Sequence, residues 1–173
     1  GAAATYRFLV AFSATAAGKL QTFDNNLARV TAATSITLQE AISGIVAVNR
    51  VADGSGNFYV ATNTPGTIWV VRQSDFAQIR KCSMNVGETI ASIHSDGTTL
   101  VVGTTAGDIV RFDNNCNRQT WNPLNVLGAG RSCNIIIQDS PTSTYVYCFS
   151  TAHTAIARVN KNDPAMTVTR VNF

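Results

Sequence analysis

LVVGTTAGDIVRFDNN, residues 100–115, holds an apolar strand, a small polar turn and a second strand with apolar anchors at Ile109 and Phe112 before a polar end. Three other stretches carry the same pattern: FLVAFSATAAGKLQTFDNN at 8–26, FYVATNTPGTIWVVRQSD at 58–75 and YVYCFSTAHTAIARVNKN at 145–162. Leu20, Ile68, Ile109 and Ile156 anchor the second strand of each copy, with Phe23, Val71, Phe112 and Val159 three positions later. The anchors are 48, 41 and 47 residues apart. Such a spacing marks a modular chain in which each unit buries its apolar faces against its neighbours.

Ahead of three copies lies another apolar strand ending in an acidic turn: GIVAVNRVADGSG, ETIASIHSDG and SCNIIIQDSPTS. Asp53, Asp96 and Asp139 recur there every 43 residues. Asp bonds its own downstream backbone and Gly accepts positive φ, so the threefold repetition reads as turn formation rather than catalysis. After each anchor comes a more polar strand: LARVTAAT, FAQIRKC, CNRQTWN and AMTVTRVNF. A repeat of roughly 40–50 residues built from four short antiparallel strands is one blade of a β-propeller. The sequence therefore predicts a single all-β domain, a propeller or partial propeller of about four blades. Each blade is an antiparallel four-stranded meander, over residues 5–43, 44–87, 88–130 and 131–173. Inner strands meet neighbours on both faces and should be nearly continuous in apolar residues, as III, YVYC and TLVV are.

The stretch GDIVRFDNNCNRQTW, 107–121, resembles the repeat of quinoprotein-type (PQQ-like) propellers, in which an aliphatic strand runs into an Asp with a Trp eight residues beyond. Asp113 and Trp121 keep that spacing. The resemblance implies that these two are blade-docking residues, with Trp121 wedged between adjacent blades. It covers one blade well and the others in outline, since Asp24 is followed by Ala32 at the Trp position and Cys116-Asn117 replaces the Thr-Gly of the pattern. Blade architecture is what it implies, and no cofactor. The Gly-His and Trp-Asp dipeptides of WD40 repeats are absent.

Counting strands leaves the first blade without its innermost member, because no apolar strand precedes FLVAF. An unpaired apolar edge is a template for another strand. Three arrangements satisfy it: a closed four-bladed ring with a three-stranded first blade, excision from a longer chain, or completion by a neighbouring subunit. The insertion TAATSITLQEAIS at 31–43 sets this blade apart, with a helical turn expected over 37–42 and a contact role or a plain surface loop as its two readings.

Of 173 residues, 45% are hydrophobic and 13% charged, about half the usual charged share. A polar but weakly ionic surface suits a secreted, cell-surface or assembly-forming protein, since neutral groups enter contacts without the desolvation cost of charge. The net charge of +3 is dispersed, which argues against a nucleic-acid partner. No apolar run is long enough for a membrane-spanning helix. The start, Gly1-Ala2-Ala3-Ala4, reads as a processed or trimmed end.

Four cysteines complete the frame. Cys133 and Cys148 flank a hairpin that, folded symmetrically, sets them opposite each other, where a disulfide contributes about 3 kcal/mol. Two buried thiols are the alternative. Cys82 and Cys116 then remain as a second pair. No Cys-x-x-Cys spacing suggests zinc, and His94 and His153 fall in different blades without a supporting cluster, so neither a metal nor a cofactor is expected. No catalytic residues are assigned, because no two carboxylates read as an acid and base pair and no phosphate loop or nucleophile elbow occurs. Tyr6, Tyr59, Trp69, Trp121, Tyr145 and Tyr147 do not recur at one position per blade, as a glycan-binding propeller would have them. The expected role is a non-catalytic extracellular or cell-surface module that joins itself or a larger assembly through the incomplete blade. The alternative is a propeller that recognises protein or glycan through turns on one face.

Overall fold

The computed structural model describes residues 8–12, 19–23, 26, 28, 36–37, 45–50, 57–62, 66–72, 77–95, 98–138, 143–150 and 154–173, with backbone alone for the strands before Asn57. Among them are fourteen strands and no helix. Strands β1 (Phe8–Phe12), β2 (Lys19–Phe23) and β3 (Ile36–Thr37) form the first sheet. The second is β4 (Ile45–Arg50), β5 (Asn57–Thr62), β6 (Thr67–Arg72) and β7 (Gln78–Ser83). The third is β8 (Ile90–Ser95), β9 (Thr99–Thr104) and β10 (Ile109–Asp113), and the fourth is β11 (Ile135–Ile137), β12 (Tyr145–Phe149), β13 (Ala155–Asn160) and β14 (Val168–Asn172). Every sheet is an antiparallel meander in chain order.

The inner strands share a local irregularity. A bulge lies between Ile45 and Ala47 in β4 and between Ile90 and Ser92 in β8. At the start of β11, the Asn134 N–H donates to the Phe149 carbonyl, which Ile135 already opposes. An extra residue at this point bends the strand and adds twist where it enters the sheet.

Two cores lie between successive sheets. Tyr59, Ala61, Ile68, Val70 and Cys82 of the second sheet meet Ile93, Leu100, Val102, Val110 and Phe112 of the third. Val101 and Ile109, on the other face of the third sheet, join Trp121, Val126 and Leu127 against Ile136, Val146, Cys148, Ala157 and Val159 of the fourth. Both faces of the third sheet are thus sealed, and all six residues of β9 are buried.

Three sequence expectations need correction. The outer strand of the third sheet, expected at CNRQTWN, is reduced to a single bridge, Phe112 to Arg118. The outermost described pairing of the first sheet is Leu20 with Ile36 and Lys19 with Thr37, and the strand expected at 27–34 lies, but for Ala28, outside the described residues. Thr37 lies in that strand, and the rest of the expected helical turn lies outside the described residues. The inner strands of the fourth sheet are not buried throughout: β11 and β12 alternate, because only one of their faces meets another sheet.

The seam between the third and fourth sheets is close at Gly103. A Cβ there would come within 2.6 Å of the Cys133 carbonyl oxygen and 2.7 Å of Ser92 Oγ, which itself donates to that carbonyl. Backbone on one side and a committed hydroxyl on the other leave no room to yield. Gly103→Ala is expected to destabilise the fold by roughly 1–3 kcal/mol, the usual cost of overpacking, read as a lower denaturant midpoint at unchanged slope.

Candidate interaction site

The seams, rather than any cleft, concentrate the polar chemistry of this chain. Between the second and third sheets, Cys82 near the end of β7 is bonded to Cys116 in the turn after β10, across 34 residues of sequence. Cys116 has φ 66°, a region that non-glycine residues rarely occupy. Asp113 holds this turn: Asn115 N–H and Asn117 N–H each donate to its Oδ1 at 2.8 Å, and Asn117 Nδ2 donates to Oδ2. Asn117's side chain is the chief reason that the Asp113 carboxyl sits below the usual range. Its bonds are thus local to the turn, and its contribution to docking is to present Cys116 to the neighbouring sheet.

On the same seam Arg118 makes a two-pronged contact with Glu88, Nη1 to Oε2 at 2.6 Å and Nη2 to Oε1 at 2.7 Å. Glu88 also accepts from the Asn85 N–H. The segment connecting the two sheets is thereby tied to the outer side of the third. The Arg118 hydrogen bond holds the Glu88 carboxyl below its ordinary value, against a smaller opposing effect of burial.

Between the third and fourth sheets, the Trp121 Nε1–H donates to the Asp163 carbonyl at 3.2 Å. Arg111 lies 5.9 Å from the Trp121 ring centre, and its Nη1 donates to the Lys161 carbonyl. Both side chains therefore end on the β13–β14 turn. That turn is built like the one at Asp113, since Asp163 accepts Ala165 N–H and Thr167 N–H, and Thr167 is the main reason its carboxyl is lowered. Arg170 returns the contact, donating to the Val126 and Asn125 carbonyls.

Trp121 reaches this position because the strand beside β10 is broken. Gln119 N–H donates to Arg111 O, but Arg111 N–H meets Asn122 Oδ1 instead of a backbone oxygen, while Asn122 Nδ2 donates to Gln119 O at 2.6 Å. A side-chain amide is spliced into the ladder. The backbone bond resumes at Ile109 N–H to Pro123 O, and the chain released between turns Trp121 into the core.

Cys133 and Cys148 are bonded, with Cα atoms 5.5 Å apart, but not as directly opposed hairpin residues. Cys148 pairs with Ile136, and Cys133 lies before β11, its N–H donating to the Thr104 carbonyl of the third sheet. The symmetric folding expected from sequence fails because the β11–β12 register sets Ile136, three residues beyond Cys133, opposite Cys148. This disulfide therefore lies within the fourth blade, while the backbone of Cys133 is hydrogen-bonded to the third sheet.

Asp53, Asp96, Asp139, His153 and Tyr6 lie outside the described residues. His94 is in β8, half-buried, in the row with Val101 and Arg111. Tyr59, Trp69 and Trp121 are buried, Lys81 lies over Trp69 and Arg158 over Tyr145, so the aromatics share no platform. Among the described residues no group of three or more His, Cys, Asp or Glu side chains is placed to hold a metal, and no helix is long and apolar enough to cross a membrane. At the other end, β1 reaches β4 as β5 reaches β8 and β9 reaches β11. The first sheet therefore begins on the equivalent of a second strand.

Two variants test these seams. Asn122→Ala strands Arg111 N–H and Gln119 O together, and is expected to cost about 1–3 kcal/mol in chemical denaturation. For Glu88, a lowered folded pKa means that its contribution is complete above the ordinary carboxylate value and vanishes as pH falls through the lowered one. Glu88→Gln should thus destabilise at pH 7, and the gap from wild type should narrow steadily in acid; a gap independent of pH would refute the pairing as its source.

No family model matches the chain. No curated protein matches it in sequence either. Its structure is similar to the WD40 domain of Toxoplasma gondii coronin (TM-score 0.72, 12% identity, covering 96% of this chain and 43% of that one). It is also similar to Raptor of Chaetomium thermophilum (0.70, 13%, covering 95% and 15%) and to BamB of Moraxella catarrhalis (0.58, 18%, covering 92% and 44%). The chain spans less than half of each of these. The four consecutive sheets are blades, and the fold is that of a partial β-propeller.

Proposed function

We propose that the protein is a non-catalytic, extracellular or cell-surface assembly module that associates with itself or docks into a larger assembly through its incomplete first blade. The observation that supports this reading is the strand order of the first sheet, which among the described residues starts at β1 with no counterpart of β4, β8 or β11. A strand in that position leaves its outer N–H and C=O groups available for pairing, and strand addition is the general way such an edge is used. Two disulfides, one of them between successive blades, fit an oxidising compartment. A surface with few charges fits broad contact with protein rather than capture of an ionic ligand.

Light scattering of the purified chain, with negative-stain imaging, tests the reading. Rings or filaments larger than one chain are expected. A compact monomer at every concentration would overturn it and favour recognition of protein or glycan through turns on one face.

A further inference from the structure

The segment 123–132, which leads from the third blade toward the fourth, is pinned to the β9–β10 turn. Val126 N–H donates to the Gly107 carbonyl, Asn125 N–H to Asp108 Oδ1, and Ser132 Oγ to the Thr105 carbonyl. Gly107, at φ 85°, has the Arg131 carbonyl where a Cβ would stand, so the loop is seated too closely for a side chain there. Two guanidinium groups meet over this loop. A side chain beginning at Gly128 would lie 3.5 Å from Arg170 Nη1 and 3.9 Å from Arg131 Nη1. Each arginine is held by oxygen atoms that carry no charge. Arg170 donates from Nε to the Val126 carbonyl and from Nη2 to the Asn125 carbonyl, and Arg131 Nη1 donates to the Leu127 carbonyl and to Asn172 Oδ1. Among the described residues no carboxylate pairs with either, and Asp108, which touches the loop, accepts the Asn125 N–H. Donors are left over: Arg170 Nη1, Arg131 Nε and Nη2, and the main-chain N–H groups of Ala129 and Gly130 have no partner among the described residues.

We infer that the loop 128–131, together with Arg170, is a binding site for a tetrahedral oxyanion, a sulfate or phosphate group. Two like charges held within reach of one point repel each other. An anion between them turns that repulsion into charge-assisted contacts with both, and the planar fork of a guanidinium matches such an oxygen set in geometry as well as charge. Gly128 supplies the space, since it has no side chain to fill the gap and its φ of 93° disfavours one. Ala129, Gly130 and Arg170 are exposed and Arg131 is half-buried, so the point is open to solvent. Neither arginine has to be gathered in, because protein oxygens already hold both, and little ordering is lost on capture. The inference is independent of the assembly reading, since the site lies in the seam of two described blades and not at a sheet edge.

The experiment is an amide NMR titration of the full chain with sodium sulfate and, separately, with sodium phosphate, sodium chloride holding the ionic strength constant. Saturable shifts at Ala129, Gly130 and Arg131 are expected, and the salt that produces them assigns the group. Arg131→Gln should weaken binding by roughly tenfold or more. Ala129→Glu takes no bond from the fold and sets a carboxylate beside the arginines, so it should abolish binding, and it carries the test should Arg131→Gln fail to fold. Arg158→Gln, whose guanidinium lies on the Tyr145 ring of the fourth blade, should leave binding unchanged. The absence of a saturable shift with either salt would overturn the inference. So would undiminished binding to Ala129→Glu, or a loss in Arg158→Gln equal to that in Arg131→Gln.

Discussion

A sheet of three or four short strands has two faces and no interior, so none of these blades can bury its apolar rows alone. The contact of one blade on the next is the constraint from which the rest of the structure follows. It explains why β9 is buried at every position while β7 and β14, on the outside, are largely exposed. It also explains where the covalent links lie. The Cys82–Cys116 disulfide crosses the seam between the second and third blades and so opposes the opening of blade from blade, while Cys133–Cys148 fixes the entry of the chain into the fourth blade. Closing loops of 34 and 15 residues contributes about 3–4 kcal/mol each in the chain-entropy account.

The polar ties at the seams use one device twice. An Asp at or just beyond the end of a strand, Asp113 in β10 and Asp163 three residues after β13, accepts the N–H groups two and four residues on, which fixes a tight turn and leaves its outward backbone in a defined position. At Asp113 the fixed turn presents Cys116 to the second blade. At Asp163 it presents carbonyls, and the Trp121 indole and the Arg111 guanidinium of the third blade end on this turn. Neither carboxylate crosses a seam itself. Each acts by making a short loop rigid enough for another group to bind.

That division separates what can be read in the sequence from what cannot. The repeat is legible because burial imposes apolar residues at fixed intervals, and the anchors Leu20, Ile68, Ile109 and Ile156 fall in β2, β6, β10 and β13. The position of Trp121 was accessible only through a resemblance in spacing, and the cause of its inward turn was not: nothing in Thr-Trp-Asn-Pro announces that Asn122 will replace a backbone group. The offset of Cys133 was hidden for a similar reason. A symmetric count across the hairpin sets Cys133 opposite Cys148, whereas the register sets Ile136 there, and no residue type marks that shift; the extra residue at Asn134 is equally unmarked. The equivalent bulges in β4 and β8 show that the irregularity belongs to the repeat, although no shared residue type marks it.

The same reasoning bears on why the fourth blade looks polar on a casual reading of its outer strand. Thr169 in β14 and Arg158 in β13 dilute a face whose apolar members come from four separate strands. Periodicity along any single strand of this blade is short, three residues in β11 and five in β12 and β14. The apolar face exists only across the strands, in the row from Ile135 to Val171, and only once register is known. An apolar face assembled in that direction is invisible to motif, charge and composition alike, which is why the functional reading of this chain depends on its edges and seams rather than on any cluster of reactive side chains.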